Sequence, residues 1–144
     1  MTERMSAKQY REKFGEPKAV SSARILITSM PPSANGLRKS FIKDGKVIST
    51  KSDAYADWRK AAVSEIVCQA VGKVEGPYRL SIVAQRHWRS KRARDIDNII
   101  KPLSDALVKA GVVQDDSLAE CVTARWADDL QGHAAVIDVE VCDG

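Results

Sequence analysis

The sequence contains 144 residues, of which 44% are hydrophobic and 29% charged, and its formal net charge is +4. This length predicts one domain with a sizeable core, and the composition excludes a disordered chain. No apolar run reaches the roughly 18 residues of a membrane span, and the first residues lack the apolar core of a secretory signal, so we predict a cytoplasmic protein without membrane contact.

The N-terminal part of the chain predicts an extension, a strand and a hairpin. Residues 1–22 are polar and charge-rich, and we expect an extension outside the core that is free to move and can contain a short helix. We place the folded domain at residues 23–144. The run ARILITSM predicts a strand that two prolines end, and Asp44-Gly45 between two β-prone arms predicts a hairpin.

The middle of the chain predicts a helix followed by a strand. Ser52 is placed to cap a helix that runs to about Val71, and Gly72 can end it. The apolar residues that recur every three or four positions are Tyr55, Trp58, Ala62, Ile66 and Ala70. The segment YRLSIVA then alternates apolar with mostly polar residues, which is typical of a strand with one buried face.

The last third predicts a second helix and two more strands. The helix is expected over residues 99–110, with Asp97 or Asn98 as its cap and Gly111 at its end. Its apolar face consists of Ile99, Leu103, Ala106, Leu107 and Ala110. The segments ECVTARWA and HAAVIDVEV predict two strands joined by a turn. Together these elements predict an α+β fold, a small mixed β-sheet with two main helices packed on it.

A basic run precedes the second helix. Between Arg86 and Arg94 the chain carries five Lys or Arg residues and no acid. Closely spaced cations bind polyanions because each neutralised phosphate releases counterions, although a solvated charged loop is the alternative interpretation. The residues of this run that we expect to contact a polyanion are Arg89, Lys91, Arg92 and Arg94.

Four aspartates flank the second helix. Asp95 and Asp97 lie in a segment that we expect to be extended, so their side chains would project to the same side. Lys101, four residues after Asp97, would point toward the same edge. A helix of about 18 Å followed by about 16 Å of extended chain allows Asp115 or Asp116 to return close to the helix start.

Ordinary structural roles remain open for these acids, because Asp97 can be a helix cap, Asp115-Asp116 a turn, and Asp105 a surface or ion-paired residue. Three carboxylates brought together would instead need a cation, since a like-charged pair about 4 Å apart costs about 4 kcal/mol at an effective dielectric constant near 20. Oxygen ligands without His or Cys favour Mg²⁺, with Mn²⁺ as a substitute, over zinc. Such an ion can polarise a phosphodiester.

The order and spacing of these residues resemble the signature of the RusA family of Holliday junction resolvases, which are often prophage-encoded. The matching residues are Arg94-Asp95-x-Asp97-Asn98-x-x-Lys101, Asp105-Ala106-Leu107, Gly111 and Asp115-Asp116, with Pro31-Pro32-Ser33-x-Asn35 after the first strand. The resemblance extends from about residue 25 to residue 141. Gly36-Leu37-Arg38 stands where some members of the family have aromatic residues.

By this resemblance, Asp95, Asp97 and Asp116 are the catalytic metal ligands and Lys101 is the essential lysine. The positions near the site are Asp115, Arg94 and Asn98. The resemblance implies that the residues in contact with DNA are Arg89, Lys91, Arg92, Arg94 and Asn98. The resemblance also implies a Mg²⁺-dependent homodimer that acts in DNA recombination and repair. It would cut four-way DNA junctions by two symmetric nicks, because a two-fold dimer presents two sites.

Two other classes of protein remain as alternatives. One is a non-catalytic DNA-binding module of the same fold, which would gain nothing from acids that face phosphates. The other is a receiver-type phosphoacceptor domain, which also combines an acidic pair with a lysine. The initial strand and hairpin disfavour a receiver, because receivers alternate strands and helices regularly.

Overall fold

A mixed sheet, three helices and a separate hairpin make up the part of the chain that the structure describes. This computed structural model describes residues 6–32, 38–43, 45–51, 53–86 and 95–142. In chain order the elements are α1 (Ala7–Phe14), β1 (Ser22–Ile27), β2 (Arg38–Lys43), β3 (Lys46–Lys51), α2 (Asp53–Gln69), β4 (Tyr78–Gln85), α3 (Asp97–Lys109), a 3-10 turn (Asp116–Leu118), β5 (Ala119–Ala127) and β6 (Ala135–Val141). The predicted α+β class is confirmed.

The four-stranded sheet has the order β1-β6-β4-β5. β6 lies between β1 and β4 and is antiparallel to both, so the last two strands of the chain are not neighbours. β4 and β5 run parallel, with Tyr78 opposite Ala119 and Gln85 opposite Ala127. A parallel pair needs a crossover connection, and α3 provides it. β2 and β3 form the hairpin that the Asp-Gly dipeptide predicts.

The core lies between the sheet and the two long helices, as the periodicities predict. The predicted inward residues of β4 are all buried, namely Tyr78, Leu80, Ile82 and Ala84. The predicted face of α3 is buried as well, namely Ile99, Leu103, Ala106, Leu107 and Ala110. On α2 the prediction was wrong at Ala70, because the helix ends at Gln69 and Ala70 turns outward with a φ of 52°. No helix in the described ranges is long and apolar enough to cross a bilayer.

Side chains of α2 bind the backbone of the edge strand β1 and its continuation. The side-chain amide of Gln69 accepts from the Leu26 N–H at 2.9 Å and donates to the Leu26 carbonyl at 2.8 Å. The Glu65 carboxylate accepts from the N–H and the hydroxyl of Thr28, both at 2.7 Å. These bonds satisfy backbone groups that would otherwise be open to another strand, and they fix α2 against the sheet.

The segment before β1 is joined to the end of α2. The N–H of Val20 donates to the Lys73 carbonyl, and the N–H of Lys73 donates to the Lys18 carbonyl, both at 2.8 Å. Before it, α1 begins with a capping box formed by Ser6 and Gln9 and buries no residue completely. The short helix is therefore present, whereas the boundary at residue 22 and the mobility of the extension stay predictions.

A substitution at Gly72 tests whether the segment before β1 packs firmly against the end of α2. Its φ is +91°, and a Cβ atom there would lie 2.8 Å from the Lys18 carbonyl oxygen and 2.8 Å from a methyl carbon of Val20. We expect Gly72→Ala to lower the free energy of unfolding, measured by urea denaturation, by about 1–3 kcal/mol more than a substitution that only imposes backbone strain. Gly76→Ala is the matched control, because Gly76 has a φ of +76° and nothing within 4 Å of the added carbon. Equal losses in the two variants would contradict a firm contact.

Candidate active site

The chain turns into α3 at Asp95, earlier than the sequence predicts. The Asp95 carbonyl accepts from the Asn98 N–H at 3.1 Å, and the Ile96 carbonyl accepts from the Ile99 N–H at 3.3 Å. Ile96 has helical dihedral angles and makes no side-chain cap, so capping by Asp97 or Asn98 was a wrong prediction. The expected extended segment was also wrong, because Ile96 has helical dihedral angles and Asp97 is already the first residue of α3.

Lys101 connects α3 to the turn that precedes β5. Its ammonium lies 3.3 Å from an Asp105 oxygen, one helical turn along, and 3.7 Å from an Asp116 oxygen. The hydrogen bond to Asp105, followed by the charge of that carboxylate, raises the pKa of Lys101 above its ordinary value. The lysine therefore stays protonated at neutral pH and stands between two carboxylates. The prediction that Asp105 is ion-paired is confirmed.

Residues of α2 extend this charged arrangement, which sequence reasoning missed. The Tyr55 hydroxyl donates to the second oxygen of Asp105 at 3.4 Å. The Arg59 guanidinium lies over the Tyr55 ring, 5.7 Å from its centre. Burial, and then the charge of Asp105, raise the pKa of Tyr55, so the hydroxyl remains a proton donor. The spacing of Tyr55 and Arg59 by four residues on one helix face was the available signal.

The predicted acidic pair forms a turn beside α3. The Asp115 carboxylate accepts from the Ser117 N–H at 3.3 Å and caps the 3-10 turn that begins at Asp116. A side-chain hydrogen bond with Asp116, and then the Ser117 N–H, lower the pKa of Asp115. The interpretation of the pair as a turn is therefore confirmed, and the turn brings Asp116 to Lys101. The interpretation of Asp116 as a metal ligand stays a prediction.

A cleft of about 210 Å³ lies between α2, α3 and this turn. The residues that line it are Arg59, Asp105, Val108, Lys109, Asp115 and Asp116. Three carboxylates and two cations thus surround one small open space. We call it the acidic cleft.

Asp95 and Asp97 are exposed at the other end of α3. Asp97 and Asp105 are eight residues, or about 12 Å, apart along the helix axis. Within the described ranges, no three Asp, Glu, His or Cys side chains are grouped so that they could hold a metal ion. The donor chemistry of Asp95, Asp97 and Asp116 fits a hard divalent cation, since all their ligand atoms are carboxylate oxygens. Their assembly into one metal site stays a prediction.

The predicted DNA contacts fall mostly outside the described residues. Arg89, Lys91, Arg92 and Arg94 lie there, whereas Asn98 is partly buried in the first turn of α3. Their roles stay predictions.

Comparison with known proteins places this arrangement in a family. The family model described as Endodeoxyribonuclease RusA matches residues 29–141. The chain is also similar to the Crossover junction endodeoxyribonuclease RusA of Aquifex aeolicus (strain VF5), at 36% identity over 76 residues. That alignment covers 53% of this chain and 58% of the relative, which is less than two thirds of its length. The family model spans well over half of the chain, which confirms the resemblance seen in the sequence, and the protein belongs to the RusA endodeoxyribonuclease family.

Proposed function

We propose that this protein is a structure-selective endodeoxyribonuclease that cuts four-way DNA junctions. The observation that carries the proposal is the 3.7 Å contact between Lys101 and Asp116. The family supports the same activity, since the similar protein from Aquifex aeolicus is named for cutting crossover junctions. The alternative, a DNA-binding module without catalysis, is disfavoured because three carboxylates in a cleft repel phosphates and weaken binding.

Lys101 is the residue to which we assign stabilisation of the attacked phosphate. Its ammonium stays protonated, and its side chain is 72% exposed, so it can reach a phosphate at the surface. A fixed positive charge beside the attacked phosphorus lowers the energy of the extra negative charge that develops there. Asp105 holds this ammonium from one side and is a positioning residue in this proposal.

We assign the metal ligands to Asp95, Asp97 and Asp116, with Mg²⁺ as the ion and Mn²⁺ as a substitute. When bound, the ion would polarise the phosphodiester and stabilise the leaving oxygen. Asp116 also contacts Lys101, so a carboxylate that would hold the ion lies beside the lysine that would stabilise the phosphate. Asp115 supports Asp116 by capping the turn from which it projects.

A homodimer in the cytoplasm, acting in DNA recombination and repair, completes the proposal. Resolution of a junction requires two matched nicks, and a two-fold dimer presents two equivalent sites at once. Selectivity would come from the shape of the branched DNA, which basic surfaces recognise through phosphates.

Asp116→Asn tests the carboxylate. The change keeps the shape and leaves Lys101 bound to Asp105, so the fold should survive, while junction cutting with Mg²⁺ should fall about 100-fold or more. Metal-free junction binding should hold or tighten, because one repulsion against phosphate is lost. Glu120→Gln is the control, since it removes the same charge from an exposed position at the start of β5. If Asp116→Asn cut at the wild-type rate while Asp97→Asn did not, Asp116 would be a turn residue only.

Two substitutions, Lys101→Met and Lys101→Arg, distinguish the effect of the positive charge of Lys101 on cleavage from the effect of its packing. The side chain is exposed, so neither variant should lose more than about 1 kcal/mol of stability. We expect Lys101→Met to cut junctions at least about 100-fold more slowly, and Lys101→Arg to recover part of that loss because it keeps the positive charge. Single-turnover cleavage at saturating enzyme measures both. Equal cleavage rates for Lys101→Met and the wild type would show that Lys101 does not take part in the reaction.

The assembly has a direct test. We expect light scattering at micromolar protein concentration to give the mass of a dimer, because paired nicking needs two sites on one particle. A monomer mass, together with full junction resolution at the same concentration, would contradict the homodimer but leave the nuclease proposal intact.

A further inference from the structure

A second open surface lies beside the acidic cleft, between α1, α2 and α3. It is a groove of about 620 Å³, and Val63 and Val108 form part of its lining. Its cationic lining residues are Lys8, Arg11, Arg59, Lys60 and Lys109, and no acidic side chain lines it within the described residues. We call it the basic groove.

The charges of the basic groove are available to a ligand. Lys8, Arg11, Lys60 and Lys109 are exposed, and Arg59 is partly buried. Arg11 lies 3.6 Å from Glu16, but both side chains are well exposed, so the pair is weak and easily replaced. Five cations in one groove attract an anion with several charges along its length, and DNA backbone is such an anion.

The basic groove adjoins the acidic cleft. Arg59, Val108 and Lys109 line both spaces. A phosphate chain in the cleft meets three carboxylates against two cations, Arg59 and Lys109, so the cleft by itself has a net negative charge that repels it. The cations of the groove, directly adjacent, offset that repulsion over the next phosphates along the same strand.

We propose that the basic groove is a second DNA-binding surface, which holds the phosphates of one junction arm and leads its strand to the acidic cleft. This inference rests on the proposed nuclease function. The occupant is DNA because the groove adjoins the acidic cleft, and Asp116 in that cleft is a proposed metal ligand that also contacts Lys101. No aromatic side chain lines the groove within the described residues, so contact is through the backbone and independent of base sequence.

The N-terminal helix supplies part of this surface from outside the region that the family model matches. Lys8 and Arg11 belong to α1, whereas the family match begins at residue 29. Lys60 and Lys109 belong to α2 and α3, within the matched region. The extension thus provides one wall of the groove and the family domain provides the other.

The test compares two double variants of the full chain that remove the same charge. Lys8→Ala with Arg11→Ala takes two cations from the groove, whereas Lys13→Ala with Lys18→Ala takes two from nearby positions that do not line it. Binding to a synthetic four-way junction is measured without metal from 50 to 200 mM salt. We expect the groove variant to bind about tenfold more weakly at low salt, with a slope of log affinity against log salt less steep by about 1.8. The control should stay near wild type.

A second double variant, Lys60→Ala with Lys109→Ala, removes two cations from the opposite wall of the groove. It should give the same change in slope, and it does not depend on how α1 tolerates substitution. Thermal unfolding followed by circular dichroism verifies that each variant is folded.

If the wild type cuts junctions while both groove variants bind like the control, the groove inference fails and the nuclease function stands. If the wild type does not bind junctions, both fail. A changed mass by light scattering with unchanged DNA binding would assign the groove to a contact between copies instead, which also overturns the inference.

Discussion

The parallel pairing of β4 with β5 is the constraint on which the site depends. Because Tyr78 faces Ala119 and Gln85 faces Ala127, the chain must leave the sheet at one end and re-enter it at the other. α3 makes that return, and its apolar side is fully buried against the sheet. The opposite side of α3 is therefore held at the surface, with Lys101 exposed on it. The turn that begins β5 must then lie beside the same helix.

A series of contacts follows from this placement. Arg59 lies over Tyr55, Tyr55 donates to Asp105, Asp105 binds Lys101, and Lys101 reaches Asp116. Each exposed ion pair alone contributes little to stability, typically under about 1 kcal/mol. Their joint effect is on charge, because one protonated lysine between two carboxylates reduces the repulsion that would otherwise push the turn away from the helix. The same lysine remains accessible to a phosphate.

The sequence was sufficient for those features that depend on local periodicity. The alternation of apolar residues predicts the inward side of β4, and their recurrence every three or four positions predicts the buried face of α3. The Asp-Gly dipeptide predicts the hairpin in the same local way. The start of α3 was misplaced because backbone bonds from Asn98 and Ile99 extend the helix by two residues, and side-chain capping rules do not include them. The strand order was not readable, since the insertion of β6 between β1 and β4 depends on contacts far apart in the chain.

The sequence indicated the aspartates and Lys101 but not the cations beside the acidic cleft, because those cations also come together only through contacts between distant parts of the chain. Arg59, Lys60 and Lys109 are spread over two helices, and only packing of α2 against α3 brings them to one surface. That surface would offset a conflict within the proposed function, because the carboxylates of the acidic cleft, which include the proposed metal ligand Asp116, repel a phosphate chain. Screening limits the reach of exposed charges to about 8–10 Å at ordinary salt, so the compensating cations must adjoin the acids. Arg59 and Lys109, which line both spaces, are the cations that meet this requirement.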